Sequence, residues 1–74
     1  MNLGMLWHDD DKKRTPSDKV LRACNHYQQK YGAFPTVCVV NPVLATFLPA
    51  RVGHVVIRQA RTVLPDHFWV GVED

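Results

Sequence analysis

Cysteine and serine are scarce in this chain: Cys24, Cys38 and Ser17 are all that occur in 74 residues. Two cysteines are too few for a disulfide scaffold, and neither belongs to a Cys-x-x-Cys pair, so zinc-ribbon spacing is absent. Ser17 stands at a helix entry and belongs to no Gly-x-Ser-x-Gly elbow. The four glycines, Gly4, Gly32, Gly53 and Gly71, are isolated, which excludes a phosphate-cradling Gly-rich loop and a dinucleotide fingerprint. A Cys24 thiolate would need a base within hydrogen-bond reach, and His26 falls on another side of the same helix. Catalysis is therefore not the first reading, and no cofactor is expected.

Charge of one sign is also lacking. Nine Lys and Arg against seven Asp and Glu leave +2, too mild for the electrostatic footprint of a nucleic-acid binder, although a local basic patch remains compatible with it. The start "MNLGMLW" has neither the basic residues nor the long apolar run of a signal peptide, so a reducing cytoplasm is the expected location. Residues 32–50 carry no charge over a length that could span a bilayer, but Pro35, Pro42 and Pro49 interrupt them. Each proline removes a helical hydrogen bond and clashes with the preceding turn, so no membrane span is expected.

What is present is a chain with 46% hydrophobic residues, enough for a packed core. A first strand over residues 2–8 sets Leu3, Met5 and Trp7 on one side and Gly4, Leu6 and His8 on the other. "TPSD" then offers Thr15 as N-cap and Pro16 as first helical residue, with Asp18 three places past the cap. The helix that follows carries Val20, Leu21, Cys24, Tyr27 and Tyr31 on one face and stops at Gly32. "TVCVV", residues 36–40, is apolar without alternation, the pattern of a central strand covered on both faces. Asn41 and Pro42 open a short helix that Pro49 closes, and strands at residues 53–59 and 67–72 follow, with Pro65-Asp66 as the turn signal between them. The expected fold is α+β: one domain over residues 1–74 in the order β-α-β-(short helix)-β-β. Its four-stranded mixed sheet would carry the main helix on one face.

Strand order is less determined, because the first strand could pair with either the central or the last one. For the final two strands, the hydrophobic pattern selects Ile57 opposite Val70 in an antiparallel hairpin. Val55 then faces Val72, Arg58 faces Trp69 in cation–π geometry, and His54 faces Glu73.

One amphipathic helix cannot cover both faces of such a sheet, and a 74-residue chain buries only about 60% of the surface it exposes when unfolded. Either the short helix folds back with Leu44 and Phe47 as cover, or a second copy does. The favoured expectation is a non-catalytic interaction module acting as a homodimer, with Val40, Val56, Arg58 and Trp69 at the interface and Arg51, His54 and Arg61 beside it. The alternative is nucleic-acid binding, in which Trp69 stacks a base and Arg51, Arg58 and Arg61 meet phosphates. A second alternative is a metal-dependent enzyme built on "HDDD", residues 8–11, with His8, Asp9 and Asp11 as candidate ligands. Against it, Lys12, Lys13 and Arg14 cancel that charge, and aspartates ahead of a helix are favoured by its dipole, so a charged turn is the preferred reading. A zinc ion shared by the histidines and cysteines is not expected, and Cys24 and Cys38 read as core residues. The stretch "YGAFPTVCVVNP" with "VLPDHFWVGV" resembles a segment of tailed-phage major capsid proteins; the rest of that larger fold has no counterpart in the chain, and no function is carried over.

Overall fold

In the computed structural model, which describes residues 4–73, helix α1 spans Pro16–Tyr31. Its limits follow from its caps. Thr15 has extended backbone and its hydroxyl accepts the Asp18 N–H at 3.2 Å, while Gly32 takes the left-handed conformation at φ 74° and returns its N–H to the Gln28 carbonyl. Val20, Ala23, Cys24 and Tyr27 are the buried apolar positions, at helical spacing. Leu21, expected on that face, is 42% exposed, and Ala23 takes its place against the sheet.

Five strands form one sheet: β1 (Gly4–His8), β2 (Val37–Val40), β3 (Arg51–Val52), β4 (Val55–Gln59) and β5 (His67–Gly71), with helix α2 (Pro42–Ala45) between β2 and β3. Residues 2 and 3 of the expected first strand lie outside the described residues. The spatial order is β1-β5-β2-β4-β3. The α+β class and the single main helix match expectation, but the strand count does not. Strand β3 is only two residues long and pairs with β4 through a tight turn at Gly53-His54. There Gly53 adopts φ 59°, which glycine tolerates without steric cost.

The expected hairpin between the last two strands does not form. Strand β2 lies between them, parallel to β4 and antiparallel to β5. The residue rows nevertheless survive the insertion: Ile57 and Val70 both align with Cys38, and Arg58 and Trp69 both align with Val39. Val55 pairs with Val52 rather than Val72, and His54 occupies the β3–β4 turn rather than a place opposite Glu73. Strand β1 pairs antiparallel with β5, so β1-α1-β2 is a parallel unit split by one inserted strand.

Side-chain alternation divides the sheet into two unlike faces. One carries Met5, Trp7, Cys38, Val40, Val52, Val55, Ile57, Phe68 and Val70, all packed in or against a core shared with α1. Each fully buried valine of that core stabilises by about 1.5–3 kcal/mol over its exposed state, and a one-residue slip would turn a whole strand's set outward. Leu44, Ala45 and Leu48 pack against the same core, so α2 and its following turn lie on the α1 side and do not cover the other face. Val40, expected at an interface, is fully buried in this core.

Candidate functional site

The opposite face carries Gly4, Leu6 and His8 of β1, His67 and Trp69 of β5, Val37 and Val39 of β2, Val56 and Arg58 of β4, and Arg51 of β3, as the register requires. Among the described residues no helix lies on it. Leu6 is 61% exposed, while Val39, Val56 and Trp69 are half-buried. Trp69 lies across the backbone of β1, where a side chain at Gly4 would collide with its six-membered ring. Glycine at that position gives the indole its berth.

Residues 60–66 cross the end of β2 to join β4 to β5, and they form a rim on this face. Asn41 fixes that crossing. Its Oδ1 accepts the Val43 N–H at 3.0 Å, capping α2, while its Nδ2 donates to the Val63 carbonyl at 3.0 Å. The Ala60 N–H donates to the Val40 carbonyl and the Asp9 N–H to the Asp66 carbonyl, both at 2.9 Å. Asp66 takes φ 64°, a left-handed conformation that aspartate accepts better than most residues. Leu6, Thr62, Val63, Leu64, His67 and Trp69 thereby enclose a recess of about 350 Å³, near the lower end of the sizes that hold small ligands or single side chains.

Arg58 does not stack on Trp69. Its Nε donates to Glu73 Oε2 at 2.8 Å and its second nitrogen to Oε1, a bidentate pair. The Glu73 N–H also donates to Thr36 Oγ1 at 2.9 Å, so the residue arches from beyond β5 across β2 to β4. The hydrogen bonds from Arg58 hold the Glu73 carboxyl below its ordinary range, and those to Glu73 raise Arg58. Both side chains are exposed, so the pair organises the surface more than it stabilises the fold.

The other sequence candidates are dispersed. His54 and Arg61 are exposed in turns flanking β4, outside any strand. The acidic run is a turn: Asp9 Oδ1 accepts the Asp11 N–H at 3.1 Å, Asp11 Oδ1 accepts the Lys13 N–H at 2.9 Å, and Asp11 Oδ2 lies 3.2 Å from Arg14 Nε. No group of three or more His, Cys, Asp or Glu placed to hold a metal ion occurs among the described residues. His26 stacks on Trp7 at a centroid distance of 4.2 Å. Burial pushes the Cys24 thiol up to about 11 and, with Cys24 adding to it, Cys38 up to about 12. Such thiols are poor nucleophiles at neutral pH. Among the described residues no helix is long and apolar enough to cross a membrane.

One pairing had no counterpart in the sequence reading. His8 and His67 are directly opposite in the β1–β5 ladder, with ring centroids 4.7 Å apart. Locating it required knowing the partner of β1, which the hydrophobic pattern left open between two strands. No protein-family model, curated protein or solved structure matches the chain, and the resemblance to phage capsid segments gains no support from those comparisons.

Proposed function

We propose that this protein is a non-catalytic interaction module that associates with a second copy of itself through the sheet face opposite α1. The observation that carries this reading is the placement of both helices on one side, which leaves Leu6, Val39, Val56 and Trp69 without cover from the chain's own helices. A contiguous apolar surface rimmed by polar residues is the usual mark of an association site. A second copy is the partner favoured by charge. Arg58, the cation aligned with Trp69 through Val39, is already neutralised by Glu73, so two such faces meet around Trp69 without like-charge repulsion there, and the exposed Arg51 stays at the β3 edge of the sheet. The same ion pair weighs against a polynucleotide, because a phosphate would have to displace Glu73 from the arginine nearest the aromatic platform.

Leu6→Glu tests this reading by sedimentation velocity across a concentration series. A carboxylate in a buried apolar interface is costly, so the variant is expected to sediment as a monomer where the parent associates. Phe47→Glu serves as the control: Phe47 is 70% exposed just beyond α2, on the side of the sheet that carries both helices, and its variant is expected to associate like the parent. Unchanged association of Leu6→Glu, or loss of association in Phe47→Glu, would place the interface elsewhere.

A further inference from the structure

We infer that His8 and His67 form a two-imidazole site for a borderline divalent transition-metal ion of the zinc, copper or nickel class, with water in the remaining coordination positions. Three features converge on it. The first is register. The Asp9 N–H donates to the Asp66 carbonyl at 2.9 Å in line with the β1–β5 ladder, which marks Asp9 and Asp66 as a hydrogen-bonded pair. Their neighbours His8 and His67 are therefore a non-hydrogen-bonded pair, the kind whose Cα atoms approach to about 4.5 Å and whose side chains lie closest.

The second feature is ring spacing. With metal–nitrogen bonds of about 2.0–2.1 Å and nitrogen–metal–nitrogen angles of about 90–109°, two imidazoles on one ion place their centroids roughly 4.5–5.2 Å apart. The observed separation is 4.7 Å, with the rings inclined by 35°. Rotation about the side-chain bonds of His8, which is exposed, adjusts the approach without moving the strands.

The third feature is the tautomer of His67. Its Nδ1 lies 3.0 Å from the Pro65 carbonyl oxygen, which can only accept, so Nδ1 carries a proton and, in the neutral ring, Nε2 is the nitrogen that offers its lone pair. A backbone carbonyl holding the far nitrogen is the support that metal-bound histidines characteristically have, because it orients the ring and raises its basicity. The same bond ties the ligand to the turn that Asn41 and Asp9 anchor. Imidazole ligands select borderline ions over magnesium and calcium, which require oxygen donors. Both ligands come from one chain, but they share the open face with Leu6 and Trp69, so zinc uptake is expected of the monomer and is measured on Leu6→Glu as well as on the parent.

Zinc chloride titrated into the whole protein, followed by calorimetry and by the imidazole resonances of all four histidines, tests the assignment. One zinc per chain is expected, with the largest shifts at His8 and His67 and no heat from magnesium chloride under the same conditions. His8→Ala, His8→Gln and His67→Ala are each expected to weaken zinc binding at least about tenfold, since even loss of a supporting contact typically costs that much. His26→Ala and His54→Ala are expected to bind like the parent. Undiminished binding in either His8 variant, shifts centred on His26 or His54, or no zinc uptake at millimolar metal would overturn the inference. Because His8 is exposed, the two His8 variants remain informative even if His67→Ala fails to fold.

Discussion

Trp69 shapes the open face, and the glycine beneath it gives a direct way to perturb that shape. A Cβ at Gly4 would stand 1.7 Å from Trp69 Cζ2 and 2.3 Å from both Cε2 and Cη2. Carbon atoms pack at about 3.5–4.0 Å, so the indole would have to withdraw by roughly 2 Å. Overpacking of this kind costs about 1–3 kcal/mol. Against it, alanine reduces the entropy of the unfolded chain and stabilises by about 0.4–1 kcal/mol wherever its backbone is allowed. Gly4 belongs to strand β1, an extended backbone that alanine also adopts, so that gain applies. Gly4→Ala is thus expected to lower stability by up to about 2.6 kcal/mol when Trp69 is present. In a Trp69→Ala background the obstacle is gone, and the same substitution is expected to stabilise by about 0.4–1 kcal/mol. Urea unfolding of the four proteins at one fixed protein concentration, followed by circular dichroism, measures the cycle. A stabilising effect of Gly4→Ala in both backgrounds would refute the placement of the indole over β1.

Two further outcomes follow from residues that the fold engages. Asn41→Ala removes the cap of α2 and the hold on Val63 together, and is expected to cost about 1–2 kcal/mol in urea unfolding; faster amide exchange over residues 60–67 should accompany it, and unaltered exchange there would count against Asn41 as the anchor of the crossing. For the thiols, values of about 11 and about 12 in place of 9.0 reduce the thiolate fraction at pH 8 by about 10²-fold for Cys24 and about 10³-fold for Cys38, so native alkylation should run below about 1% of the unfolded rate. Because the unfolded chain releases these protons first, stability is expected to decline as pH rises beyond the ordinary thiol range of about 8.5. Labelling at the unfolded rate under native conditions would contradict the burial.

The parts of this fold legible in the sequence are those that local chemistry decides. Thr15, Pro16 and Gly32 bound α1 because each satisfies or terminates backbone hydrogen bonding within a few residues of itself. The unbroken apolar run of residues 37–40 announced the central strand. The periodicity that matched Ile57 with Val70 and Arg58 with Trp69 also held, since it depends only on which residues share a face. What it could not reveal was the strand between them, because a seven-residue link reads as a hairpin loop unless it is known that Asn41 and Val40 bind it as it crosses β2. The same gap hid the His8–His67 pair and turned Arg58 toward Glu73 instead of Trp69, for both outcomes depend on neighbours distant in sequence. Strand β3 escaped notice because two residues carry no pattern. The side on which α2 packs was open too, since Leu44 and Leu48 would be apolar in either position.

The proposed cover for the sheet face opposite α1 is a second copy of the chain. Light scattering coupled to size exclusion of the unmodified chain at tens of micromolar measures this most directly. Association through that face predicts about 17 kDa, twice the 8.5 kDa chain. A uniform 8.5 kDa species across that concentration range would contradict it.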